Sequence, residues 1–207
     1  MGGDHLLGDS MTHWIVHRIN SLQALADTPT EYGVELDIRD RGDRLILQHD
    51  PFKDGEDLEP YLRAYRHGTL ILNIKSERIE FRILELLNRY NITDYFFLDS
   101  SFPMMVTLSR QGETRMAIRL SEYEGLDTAE RMAGKVDWVW IDCFTVFPLD
   151  RLAYEKLRCW GYKLCLVSPE LQGRPDDILT MKQQLFDLGM VMDAVCTKKE
   201  QQFLWRS

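Results

Sequence analysis

GVELDIRDRGDRLILQHD, residues 33–50, holds the pattern on which the fold turns. Val34, Leu36 and Ile38 alternate with Glu35 and Asp37. A strand repeats every two residues, so both carboxylates lie on one face and the apolar side chains on the other. The polar stretch DRGDR then reverses the chain, and LILQHD follows as another apolar run. Strand, turn and strand this close together predict a hairpin that continues beyond the strand carrying the acidic pair.

Outward from this stretch, short apolar runs recur along the whole chain. They are WIVH (14–17), LILNIK (70–75), YFFLDS (95–100), RMAIRLS (115–121), WVWIDCF (138–144), KLCLVS (163–168) and AVCTK (194–198). Between them lie segments of helical period: SLQALAD (21–27), EDLEPYLRAYR (56–66), RIEFRILELLNRY (78–90), LDRLAYEKLRCWG (149–161) and DILTMKQQLFDLGM (177–190). With the run at 33–39 this makes eight strand-plus-helix units, the pattern of an α/β chain folded as a compact (β/α)8 TIM barrel with an extra β-hairpin after the second strand. The alternative, an open doubly wound sheet, usually needs fewer strands, and no G-x-G-x-x-G phosphate loop is present to support it. No linker or shift in composition interrupts residues 12–207, which read as a single domain. Residues 1–11 read as a flexible N-terminal tail.

The 207 residues carry 25 Lys and Arg against 33 Asp and Glu, a formal net charge of −8. Such a balance disfavours nucleic acid and anionic membranes as general partners, because neutralising phosphates needs a basic face. No run is long enough for a membrane span. None of the four cysteines, Cys143, Cys159, Cys165 and Cys196, is spaced for a structural zinc site, and three sit in apolar runs. Reduced, buried thiols are the expectation, and with them a cytoplasmic location.

A barrel of this kind places its site at the C-terminal ends of the strands. Glu35 and Asp37 converge there, and two like charges so close call for a cation. One divalent ion, Mg²⁺ or Ca²⁺, is the expected cofactor, with the Asn73 amide on the neighbouring strand as a third protein ligand. His17 and His49 also fall at strand ends. Two imidazoles that titrate near neutrality can divide general acid and general base work between them. Arg18, Lys75 and Arg119 are the cations placed to meet an anionic substrate.

HRINSLQAL, GVELDIRDRGDRLILQHDPF and LILNIK together resemble the glycerophosphodiester phosphodiesterase family, within the phosphatidylinositol-phospholipase-C-like barrel superfamily. His17-Arg18 matches the family's His-Arg after strand one, and Asn20-Ser21 loosely matches the start of its first helix. Glu35 and Asp37 match its metal pair, His49-Asp50 its distal His-Asp, and Lys75 its strand-three lysine. The match covers roughly the first third of the chain. Ile19 stands where the family has Gly, Asn73 where it has a ligand Glu, and Lys198 where its last strand ends in Asp. Only 23 residues separate His49 from Asn73, too few for the family's usual capping insertion. The resemblance implies a metal-dependent phosphodiester hydrolase acting on a small-molecule or polymer-linked phosphodiester. The alternatives are a barrel that binds phosphate without turnover, as a binding or scaffold module, and, with less support, another metal-dependent barrel enzyme such as a lyase or isomerase.

Overall fold

Eight parallel strands close on one another in sequence order, each followed by a helix. The structure, a computed structural model, describes residues 12–206. The tail assigned to residues 1–11 and the last residue of the 12–207 unit lie outside the described residues. The strands are β1 (His13–Val16), β2 (Gly33–Arg41), β3 (Arg44–Leu47), β4 (Glu56–Asp57), β5 (Leu70–Ile74), β6 (Tyr95–Leu98), β7 (Ala117–Leu120), β8 (Trp138–Ile141), β9 (Lys163–Val167) and β10 (Ala194–Thr197). The helices are α1 (Leu22–Ala26), α2 (Leu58–Ala64), α3 (Glu80–Arg89), α4 (Phe102–Arg110), α5 (Leu126–Met132), α6 (Arg151–Cys159), α7 (Ile178–Asp187) and α8 (Gln202–Arg206). Parallel ladders run β1–β2–β5–β6 and β7–β8–β9–β10, and β10 pairs with β1. The ring closes between β6 and β7, where Phe97 bridges Met116 and its N–H donates to the Arg115 carbonyl at 2.9 Å. The expected (β/α)8 barrel is therefore present.

The two remaining strands, β3 and β4, belong to the expected hairpin. β2 outruns the barrel, and its last residues pair antiparallel with β3, from Ile38 against Leu47 to Arg41 against Arg44. Gly42 turns the chain at φ +61°, a backbone region that glycine enters at little cost. The helix expected over 56–66 begins only at Leu58. Glu56 and Asp57 instead add to the free edge of β3, and the Glu56 carboxylate accepts the Leu22 N–H at the start of α1, at 2.8 Å. Elsewhere the end signals hold. Ser21 caps α1 by accepting the Ala24 N–H at 3.1 Å, Asp150 caps α6 at 2.7 Å, and Gly161 ends α6 at φ +85°.

Strand alternation divides the core in two. Val34, Leu36 and Ile38 of β2 point outward under the helices, within the large apolar shell. The opposite parity fills the lumen: Ile15, Ile71, Phe96, Ala117, Trp138, Trp140, Cys165 and Cys196 form a separate buried cluster. Phe96 and Trp138 stack there with ring centroids 4.5 Å apart. The paired aromatic runs of the sequence are thus lumen filling and helix contacts. Cys143, Cys165 and Cys196 are buried free thiols. Large rings on one side of a narrow barrel need small residues on the other. Gly33 supplies one: a Cβ there would overlap Ile15 Cδ1 and the Thr69 carbonyl oxygen. Gly33→Ala should lower unfolding free energy by about 1–3 kcal/mol through this overpacking, measured by urea denaturation, whereas Gly112→Ala, with open space around its Cβ, tests the backbone strain alone.

Candidate active site

The polar residues of β2 occupy the lumen column directly above the apolar cluster. Glu35 and Asp37 are each 1% exposed, so neither carboxylate reaches bulk water. Their partners come mainly from the turn that follows β1. Arg18 adopts φ +58°, a left-handed conformation uncommon for a side chain of its kind. The strain aims its backbone N–H at Glu35 Oε2, 2.7 Å away, and lets Ile19 N–H donate to the Glu35 carbonyl at 2.8 Å. Asn20 then grips Asp37 twice: its Nδ2 donates to Asp37 Oδ2 at 2.9 Å, and its Oδ1 accepts the Asp37 N–H at 2.8 Å. Asn20 is the residue whose importance sequence reading missed. Its signals were its place after His17-Arg18 and the loose match of Asn20-Ser21 to a helix-start motif, and neither gave it a role at the site.

The structure brings His17, Arg18, Glu35, Asp37, Asn73 and Lys75 together at one mouth. His17 Nε2 lies 3.6 Å from Glu35 Oε2, Arg18 Nε 3.5 Å from Asp37 Oδ2, and Lys75 Nζ 3.8 Å from Asp37 Oδ1. Asn73 donates from Nδ2 to Glu35 Oε1 at 2.9 Å, while its own Oδ1 is buried with no partner among the described residues. His49 arrives from the hairpin. The Gln48 N–H donates to the Asp37 carbonyl at 3.0 Å, and the Arg39 guanidinium holds the His49 carbonyl at 3.0 and 3.2 Å. Asp50 lies 2.9 Å from His49 Nδ1, which sets the ring's orientation and tautomer. His49 is near enough that its charge disfavours a proton on His17.

Arg119 is placed differently from its neighbours. It stands on β7 across the mouth, its guanidinium engaged by Asp99 on one side and Asp142 on the other. Lys75 shares Asp99 at 3.1 Å. Asp142 is further held by Gln172 at 2.6 Å and the Cys143 N–H at 3.0 Å. Glu170 and Arg174, which also fall near strand ends, are braces: Glu170 accepts from Thr197 Oγ1 at 2.6 Å and Lys198 N–H at 3.0 Å, and Arg174 ties the Cys143 carbonyl to Asp177.

Burial, and then the Asp37 charge beside it, push the Glu35 carboxyl up to about 7. Burial, and then Arg18, pull His17 down to about 4. At neutral pH the first imidazole is therefore uncharged and brings no positive charge to the acidic pair. Among the described residues no group of three His, Cys, Asp or Glu side chains is arranged to hold a metal ion; the oxygen donors on hand are two carboxylates and one amide.

No family model matches the sequence, and no curated protein does. Solved structures do. A glycerophosphodiester phosphodiesterase from Agrobacterium tumefaciens superposes with a TM-score of 0.66 at 15% identity, over 95% of this chain and 100% of that one. A glycerophosphoryl diester phosphodiesterase from Parabacteroides distasonis gives 0.65 at 14% identity, over 92% and 85%. A phosphodiesterase from Oleispira antarctica, in complex with the product sn-glycerol-3-phosphate, gives 0.63 at 16% identity, over 93% and 95%. The chain therefore has the TIM-barrel fold of these enzymes.

A carboxyl whose folded-state value is raised makes the folded protein hold its proton more tightly than the unfolded chain does. The stability it contributes is complete below pH 4.5 and is lost as pH rises towards 7. His17 acts in the opposite sense, losing stability as pH falls from 6.5 to about 4. Glu35→Gln removes the alkaline-side loss. A Gln amide turns one N–H towards the Arg18 or Asn73 donor, a cost that does not depend on pH, so the readout is the pH dependence: in thermal unfolding with chelator present, the variant should gain on the wild type between pH 5 and pH 8. A difference in melting temperature that stays constant over that range would show that Glu35 bears no such cost.

Proposed function

We propose that the chain is a metal-dependent phosphodiester hydrolase of the glycerophosphodiester phosphodiesterase family. The single observation that carries this reading is the buried acidic pair with the His17 imidazole beside it at one mouth edged by Arg18 and Lys75, to which the His49 loop is tied through the Gln48 N–H on the Asp37 carbonyl. The barrel shared with solved phosphodiesterases supports it independently.

Glu35, Asp37 and Asn73 fit one divalent cation, Mg²⁺ or Ca²⁺. The donors are all oxygen, burial and the Asp37 charge push the Glu35 carboxyl up, and Asn73 Oδ1 is a buried acceptor with no donor among the described residues. When bound, such an ion would polarise a phosphoryl oxygen and offset developing negative charge. Asn20 keeps Asp37 turned into the mouth, and the Arg18 N–H does the same for Glu35. His17, neutral above about pH 4, is able to take a proton from the attacking hydroxyl or water. His49, steadied by Asp50, delivers one to the departing alcohol oxygen. Arg18 forks across phosphate oxygens and Lys75 acts as a point charge. Arg119 contributes indirectly, because by sharing Asp99 it leaves Lys75 with positive charge to spare for substrate. The substrate is a phosphodiester of a polar alcohol, of the kind whose product is seen bound to the Oleispira antarctica enzyme.

Asn73, an amide where a third carboxylate would strengthen metal binding, favours a second reading: a barrel that binds phosphate without cleaving it. Hydrolysis of bis(p-nitrophenyl) phosphate and of a glycerophosphodiester panel, followed by mass spectrometry with each divalent ion, separates the two. The expected result is turnover that chelator abolishes and that falls by about 10²–10⁴ in both His17→Ala and His49→Ala. Folded protein that cleaves no diester with any metal would leave the binding module.

A further inference from the structure

A polar cavity lies at the opposite end of the barrel from His17 and the acidic pair. It opens between the segment joining α2 to β5 and the segment joining α3 to β6, where both strands begin. Its volume is ≈ 570 Å³, within the range of small-molecule sites. Arg63, Arg66 and Arg89 line it together with His67 and Tyr90, and Asp94 is the one carboxylate lining it among the described residues. In a chain of net charge −8, three guanidiniums against one carboxylate run counter to the overall balance.

Ion pairing within the protein does not use up these cations. Arg89 pairs with Glu59 at 2.8 Å, and the Tyr90 hydroxyl donates to the same carboxylate at 2.8 Å. The Arg63 guanidinium reaches only the Tyr90 hydroxyl, at 3.5 Å, so that hydroxyl stands between it and Glu59. Arg66 gives Nη1 to the carbonyls of Arg63 and Tyr65 and keeps its other nitrogens without partners among the described residues. Neither Arg63 nor Arg66 ion-pairs with a carboxylate among those residues. Asp94 is already engaged, accepting from Thr69 Oγ1 at 3.0 Å.

Arg63 and Arg89 occupy the last turns of α2 and α3, where a cation offsets the helix dipole. That role accounts for one charge per helix. It does not account for Arg66, beyond the end of α2, whose remaining nitrogens add charge to the same cavity. His67 supplies an independent sign. Its Nε2 donates to the Thr28 carbonyl at 2.8 Å, while Nδ1 is buried with no partner among the described residues. A neutral ring leaves a lone pair unmet there and a protonated ring leaves a donor unmet. A phosphate oxygen, with or without its proton, satisfies either.

We propose that this cavity is a second anion site, which binds the phosphate group of a small phosphorylated molecule. Arg63 and Arg66 fork across its oxygens, in the geometry that guanidinium and phosphate share. Arg89, held by Glu59, adds long-range attraction. The site binds without reacting, since its one carboxylate is spent on Thr69, and the apolar floor of the lumen separates it from the mouth. Its existence does not depend on the proposed hydrolase.

Isothermal titration with inorganic pyrophosphate, with chelator present and at about 0.15 M salt, tests the site without any turnover. The wild type should bind. Arg63→Gln/Arg66→Gln should bind about tenfold more weakly or worse, whereas Arg18→Gln, altered at the mouth, should bind as the wild type does. Thermal unfolding without ligand checks that the double variant is folded; if it is not, Arg63→Lys and Arg66→Lys, which keep the charge and lose the fork, carry the same comparison. ADP presents the group on a nucleoside, and the tighter of ADP and pyrophosphate identifies the source of the phosphate. Folded wild type that gives no binding heat overturns the proposal. So does binding that the double variant keeps and Arg18→Gln loses, which would put the anion at the mouth. Citrate bound as tightly as pyrophosphate would assign the cavity to carboxylates and overturn the phosphate reading.

Discussion

Two buried carboxylates on one strand, desolvated and each within reach of the other's charge, are the constraint from which the rest of the mouth follows. Glu35 and Asp37 cannot turn outward, because the other face of β2 is committed to Val34, Leu36 and Ile38 beneath the helices. A slip of one residue would exchange the two faces entirely, burying charge under the helical shell. The chain meets the cost with strained and polar backbone: the left-handed Arg18, the two-point grip of Asn20, and the Asn73 amide. What remains unmet shows in the raised Glu35 carboxyl and in the Asn73 oxygen, which has no partner among the described residues.

Strand parity and height together separate stability from chemistry. Low in the lumen the inward positions are apolar or tiny, from Gly33 through Ile15 and Phe96 to the two tryptophans, and they pack as a core. Two to four residues higher the same columns become Glu35, Asp37, Asn73, Lys75, Arg119 and Asp142. The apolar floor excludes water from beneath the polar layer, so charges there act on one another through a medium less polarisable than water. The depressed His17 is one result: desolvation from below and cations alongside keep it uncharged at neutral pH.

The βα rhythm was legible because each strand is short, apolar and bounded by turns, and the site pair was legible because E-x-D breaks an apolar alternation. His17 and His49 follow the ends of β1 and β3, as their places after apolar runs indicated. Arg119 shows the limit of that method. Its position on β7 was right, but pairing with Asp99 and Asp142 depends on which strands become neighbours when the ring closes. Asn20 shows another. An asparagine before a helix reads as a cap or turn residue, and only the folding of the β1 turn against β2 makes it the holder of Asp37. The start of α2 was misplaced because the edge of β3, a tertiary feature, draws Glu56 and Asp57 into extended pairing.

By itself, then, the order of residues determined the alternation, the eight repeats, the hairpin and the types of side chain that end each strand, since these depend on local period and turn chemistry. Only the closed barrel decided which of those ends face each other, how deeply the acids are desolvated, which cations stay available and which apolar rings are left outside. Those properties arise from distances between strands far apart in sequence, and no local pattern encodes them.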